Sequence, residues 1–163
     1  MQKRYLSILV ENNEGVLARI SSLFCQRGFN IASLTVSETN DKSISRITVC
    51  VSGEENDIKQ IKRQTRKLYE VKSVFELDEG QSVMRELLLI KVKADAKVRQ
   101  ELREIAEIYK AKVSDLSADS MILETVGESS KIDNFIKILS SYEIIEICRT
   151  GVTAMLRGSD ANI

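Results

Sequence analysis

The period of the apolar positions changes along the chain, and each change marks an element. Over 6–10, Leu6, Ile8 and Val10 alternate with Ser7 and Leu9, the two-residue period of a strand. Asn12, Asn13, Glu14 and Gly15 follow as a polar turn, in which Gly15 can take a backbone conformation that other residues avoid. Val16, Ile20, Leu23, Phe24 and Arg27 then recur at helical spacing, and Gly28 stands where helices usually stop. Asn30 and Ile31 open a second strand, with Ala32, Leu34 and Val36 on one side and Ser33, Thr35 and Ser37 on the other. Residues 38–43 are polar and predict a hairpin loop. In a third strand Ile47, Val49 and Val51 alternate with Arg46, Thr48 and Cys50, and Ser52-Gly53 closes it. Ile58, Ile61, Thr65 and Leu68 mark one face of a second helix, capped near Asn56 or Asp57, and 71–77 is a fourth strand.

Strand, helix, strand, strand, helix, strand is a small unit. Its two helices can cover only one face of the sheet, which leaves an open face and unpaired edges. Pairing two copies edge to edge extends the sheet, so a homodimer is expected. Residues 78–82 contain no apolar side chain and predict a domain boundary. Beyond it the order recurs: a strand over 87–92, a stripe of Val98, Leu102, Ile105, Ala106 and Tyr109, and a hairpin pair over 112–116 and 121–126. A stripe of Ile132, Phe135, Ile136 and Leu139 and a strand over 144–149 complete it. The fold class is therefore α+β, two ferredoxin-like βαββαβ units over 1–78 and 79–163. The first turn of the second unit, Lys93-Ala94-Asp95-Ala96, lacks the glycine and both asparagines. The tail 158–163 is expected to be loose.

Charge and composition narrow the function classes. The 24 basic and 24 acidic residues cancel, which argues against a general polyanion binder. One RNA-binding module shares this element order, but its third strand carries stacking aromatics, and 44–51 here has none. The basic helix face of Lys59, Lys62, Arg63, Arg66 and Lys67 is either solvated surface or a docking surface. Arg46 and Thr48 are likewise surface or partner contact. No apolar run approaches the ~18 residues of a membrane span. Met1-Gln2-Lys3-Arg4 leads into a strand without a signal-peptide pattern, so a cytoplasmic location is expected. Cys25, Cys50 and Cys148 lie inside apolar patterns and are expected to be buried thiols. The chain has no histidine, which removes Ser-His, Cys-His and His-ligated zinc chemistry. It also lacks a dinucleotide fingerprint, a G-K-[ST] phosphate loop and a G-D-G thiamine-diphosphate signature. No catalytic or metal-ligating residue is expected.

One stretch retains candidate chemistry. The polar turn places the free amides of a helix N-terminus beside asparagine side chains, and such amides favour an anion. Asn12, Gly15 and Asn30 are then either turn formers serving the local backbone or parts of a small-molecule site.

Several strings occur in order: N-x-x-G-V-L-x-R-I from Asn12, L-F-x-x-R-G-F-N-I-x-S-L-T-V from Leu23 and S-R-I-T-V from Ser45. Further on come R-E-L-L-L-I-K-V from Arg85 and R-T-G-V-T-A from Arg149, with Arg157-Gly158 beyond. Together they resemble the small regulatory subunit of acetolactate (acetohydroxyacid) synthase over nearly the whole chain. That resemblance implies that the N-terminal unit is an ACT domain, serving effector binding and dimerisation, and that the second is ACT-like. It implies an effector pocket at the interface of two ACT domains, lined by Asn12, Gly15, Val16, Leu17, Asn30 and Ile31. For the amino-acid ligand so implied, amides of Gly15, Val16 and Leu17 can receive the carboxylate, the amide oxygen of Asn12 or Asn30 can accept from the ammonium, and Val16, Leu17 and Ile31 can hold a branched side chain. It further implies a non-catalytic chain that binds and activates the catalytic subunit and binds a branched-chain amino acid, most often valine, for feedback inhibition. Thiamine diphosphate, magnesium and FAD would belong to the catalytic partner, with no cofactor in this chain. Ala32, where many relatives are acidic, and the proline-free hairpin depart from the family pattern outside the pocket. A free-standing ACT-type amino-acid sensor for another enzyme and an acylphosphatase-type ferredoxin-like hydrolase remain as alternatives.

Overall fold

The computed structural model describes residues 2–158. Two compact units divide the described residues, one formed by 2–84 together with 151–158, the other by Arg85–Thr150.

The first unit contains β1 (Gln2–Glu11), α1 (Val16–Gln26), β2 (Ile31–Glu38), β3 (Ile44–Gly53), α2 (Glu55–Thr65) and β4 (Val71–Leu77). Its antiparallel sheet runs β2-β3-β1-β4, so β2 is an edge strand. Leu6, Ile8 and Val10 of β1 and Ile47, Val49 and Val51 of β3 point to one face. There they meet Val16, Ile20 and Phe24 of α1 and Ile58 and Ile61 of α2 in a single core. Gly28 follows α1 with φ 76°, the left-handed turn expected of it. The cap of α2 differs from expectation. Glu54 is the cap, and its N–H donates to Asp57 Oδ2 at 3.2 Å, so Asp57 closes a reciprocal capping box from inside the first turn.

The second unit repeats the order with the body of β5 (Ser82–Lys93), α3 (Arg99–Tyr109), β6 (Lys112–Leu116), β7 (Ser120–Gly127), α4 (Ser129–Leu139) and β8 (Ile144–Arg149). Its strands run β6-β7-β5-β8. Leu88, Ile90 and Val92 face Leu102 and Ala106 of α3 and Ile132, Phe135 and Leu139 of α4. Glu86 is nearly buried here, held by Arg149 Nε and by Ser129 Oγ, and Arg149 Nη1 also reaches Asp133 Oδ1 at 2.6 Å. Burial disfavours the Arg149 cation, but the two carboxylates outweigh it and hold its pKa above the usual value. Two of the sequence strings, R-E-L-L-L-I-K-V and R-T-G-V-T-A, thus meet in one ion pair.

The expected division at 78 shifts because both flanking segments return to the first unit. β5 begins at Ser82, five residues before the strand expected at 87, and a further strand, β9 (Thr153–Leu156), pairs with it. Met84, Val152 and Ala154 are buried with Tyr5, Cys50 and Leu77 on the face of the first sheet that the helices leave uncovered. Gly151 lets this segment approach closely: a Cβ there would lie 3.1 Å from the Leu34 nitrogen. Thr35 Oγ1 then donates to the Val152 carbonyl at 2.8 Å. The face expected to be open is in part a second small core, and Thr48, expected at the surface, is buried. Of the three cysteines expected to be buried, only Cys50 is; Cys25 and Cys148 are exposed. The expected loose tail, apart from Gly158, lies outside the described residues.

Candidate functional site

The turn between β1 and α1 is built by the hairpin beside it. Asn12 N donates to the Ser43 carbonyl at 2.7 Å, and Glu11 N to the Glu70 carbonyl at 2.9 Å, so the end of β1 is pinned from both sides. The hairpin is itself stiffened by Asp41, whose Oδ1 accepts from Ser43 Oγ at 2.7 Å and Ser43 N at 2.9 Å. The Ser43 hydroxyl, then its amide, holds the Asp41 carboxyl below its ordinary pKa. Across the turn, Glu11 accepts from Lys72, which raises the Lys72 pKa, and from Asn13 Nδ2 at 3.1 Å.

Gly15 occupies the N-cap of α1 at φ 80°, ψ −7°. Nothing lies within 4 Å of the position a Cβ would take, so the glycine answers to backbone conformation and leaves open space above it. No side chain caps the helix and no acidic residue sits in its first turn. Val16 N reaches the Asn13 carbonyl only at 3.4 Å. The amides of Leu17 and Ala18, in the first turn, have no intrahelical acceptor. Two amides and the positive end of the helix dipole therefore point into open solvent.

Asn12 is oriented at the same place. Its Nδ2 donates to Glu38 Oε1 at 3.2 Å and to the Lys42 carbonyl at 3.0 Å. A primary amide has two N–H groups, and both are used; Oδ1 remains as an acceptor. Glu38 and the Lys42 carbonyl carried no signal in the sequence, because the hairpin brings them from 26 and 30 residues away.

Within one chain the six predicted residues do not form a single pocket. Asn12, Gly15, Val16 and Leu17 lie at the start of α1. Asn30 and Ile31 lie beyond its end, separated by eleven helical residues, about 16 Å of helix. Val16 is buried in the first core and Ile31 packs against it, so of the three apolar residues only Leu17, 40% exposed, presents its side chain freely. Asn30 is exposed at the start of the edge strand.

Other surfaces are less apt. The basic face of α2 is partly internal to the fold: Lys62 lies 3.5 Å and Arg4 3.1 Å from Glu76, and Arg66 donates to the Val74 carbonyl at 2.7 Å. A groove of about 710 Å³ beside it mixes Lys3, Arg4, Lys59 and Lys62 with Glu55, Glu76, Asp78 and Glu79, so opposite charges largely cancel. No helix among the described residues is long and apolar enough to cross a membrane.

Comparison with known proteins places this geometry. Residues 6–73 match a model of the acetohydroxyacid synthase small-subunit-like ACT domain, and residues 85–158 match a model of the small subunit of acetolactate synthase. The acetolactate synthase small subunit of Mycolicibacterium smegmatis is 46% identical over 94% of this chain and 90% of its own. The chain belongs to the acetolactate synthase small-subunit family. A probable member from Archaeoglobus fulgidus is 44% identical over 96% of this chain and 98% of its own. The crystal structure of the Thermotoga maritima acetolactate synthase small subunit superposes with a TM-score of 0.90 at 38% identity, over 98% of this chain and all of that one. The N-terminal unit is accordingly an ACT domain, and its uncapped helix start belongs to the domain that the family model covers.

Proposed function

We propose that this chain is a non-catalytic regulatory subunit of acetolactate synthase. It binds the catalytic subunit in the cytoplasm and raises its activity. It also binds a branched-chain amino acid, valine foremost, and conveys feedback inhibition of branched-chain amino-acid synthesis. Thiamine diphosphate, magnesium and FAD belong to the catalytic partner. The observation that carries the reading is the start of α1 in an ACT domain of this family: unclaimed amides and open space at Gly15, next to an asparagine whose free atom is an acceptor. A carboxylate suits the first and an ammonium the second.

The separation of Asn30 and Ile31 from Gly15 is what a two-chain pocket requires. β2 is an edge strand running from Ile31 to Glu38, and Glu38 lies beside Asn12. Two-fold antiparallel pairing of β2 with β2 of a second copy sets the Ile31 end of each strand against the Glu38 end of the other. Asn30 and Ile31 of one copy then line the site opened by Asn12, Gly15 and Leu17 of its partner. Coupling between such a site and the catalytic subunit typically amounts to ~1–3 kcal/mol.

The test is acetolactate formation by the catalytic subunit with and without this chain across a valine series. Activation on mixing and a fall with valine are expected. Valine binding without capture of the catalytic subunit would instead make the chain a free-standing sensor. Complementation tests the shared pocket. Chains carrying Gly15→Asp and chains carrying Asn30→Ala should each fail to bind valine, while dimers of one with the other keep one intact site. Failure of the mixture to regain binding counts against the two-chain pocket.

A further inference from the structure

We infer that Glu38 is a specificity-determining residue of the amino-acid site, acting by holding the Asn12 amide as an acceptor so that the site selects an α-ammonium over an α-hydroxyl. The inference rests on the reading given under Proposed function. An unrestrained asparagine can rotate its amide and offer either a donor or an acceptor to a ligand. Here the Lys42 carbonyl and Glu38 Oε1 each take one of the two Asn12 N–H groups. Lys42 alone would leave one N–H without a fixed partner. The carboxylate accepts only, so it opposes rotation more firmly than a hydroxyl or amide would. Among the described residues no cation lies within ion-pair distance of Glu38, whereas Glu11, at the same turn, is occupied by Lys72. The Glu38 carboxylate is therefore available to Asn12. A positively charged ammonium donates to the resulting Asn12 Oδ1 with charge assistance, whereas an α-hydroxyl meets it only as a weaker, neutral donor.

The experiment is calorimetric titration of the full-length chain with valine and with 2-hydroxy-3-methylbutanoate, its hydroxy-acid counterpart, in wild type, Glu38→Ala and Glu38→Gln. Circular dichroism checks that each variant is folded. Glu38→Ala should weaken valine about three- to tenfold, the worth of one oriented hydrogen bond, while hydroxy-acid affinity stays within about twofold or rises. Glu38→Gln keeps an oxygen that can accept from Asn12, so it should retain most of the discrimination. Equal loss for both ligands in Glu38→Ala, or no loss of discrimination, overturns the inference. A Glu38→Gln variant as poor as Glu38→Ala also overturns it, because the charge and not the orientation of Asn12 would then decide. Wild-type protein that binds no valine would overturn the underlying reading itself, and this inference with it.

Discussion

Replacing Gly15 by aspartate should separate inhibition from activation. The backbone at Gly15 is left-handed, φ 80°, and an L side chain there costs on the order of 1 kcal/mol, least for aspartate or asparagine. No atom lies within 4 Å of the new Cβ, so no clash adds to that cost. Against a domain stability of about 5–15 kcal/mol the fold survives. The consequence for the ligand is larger. The new carboxylate enters the space in front of the Leu17 and Ala18 amides, where the valine carboxylate is proposed to bind, and it competes for the same donors. Two unit charges ~5 Å apart repel by about 3 kcal/mol at an effective dielectric constant of 20, roughly two orders of magnitude in affinity. Gly15→Ala shares the backbone strain without the charge, so it should weaken valine by about tenfold or less. The assay is acetolactate formation by the catalytic subunit with wild-type or variant chain across a valine series. The aspartate variant should activate and resist valine. An inhibition curve identical to wild type would remove Gly15 from the site. Alanine and aspartate variants with equal defects would show that strain, not charge, is responsible.

Other consequences follow from the fold. Glu86→Ala leaves the part-buried Arg149 with one exposed partner, Asp133, and should lower stability by about 2–3 kcal/mol, read from denaturant unfolding; an unchanged midpoint would mean the ion pair contributes nothing net. Truncation after Thr150 removes the buried Val152 and Ala154 and uncovers Tyr5, Cys50 and Leu77. It should cost about 3 kcal/mol and increase binding of a hydrophobic dye, and an unaltered melt would refute the packing role given to this segment. Lys110 ends α3 in the left-handed conformation at φ 54°, so Lys110→Gly should stabilise the protein by about 0.5–1 kcal/mol in thermal melts; a lower midpoint would contradict the strain assigned there.

Much of the architecture could be read along the chain because it is local. The two-residue period at Leu6, Ile8 and Val10 and the helical stripe at Ile132, Phe135 and Leu139 each describe one element and its buried face. Gly15 and Gly28 announced backbone turns that only they adopt cheaply, and both stand at positive φ. Where an element's partner is distant, the chain carried no such mark. The early start of β5 and the whole of β9 come from their pairing with each other, and the burial of Met84 and Ala154 depends on Tyr5, Cys50 and Leu77 far away in sequence. Thr48 was legible as polar, but its burial comes from the sheet face it occupies. At the candidate site the same division holds. The turn composition located Asn12 and Gly15. Only the hairpin register brought Glu38 and the Lys42 carbonyl to the Asn12 amide and so decided which of its atoms a ligand can meet. Only the rigid length of α1 set Asn30 and Ile31 apart from Gly15, because a helix that joins two residues in sequence keeps them apart in space.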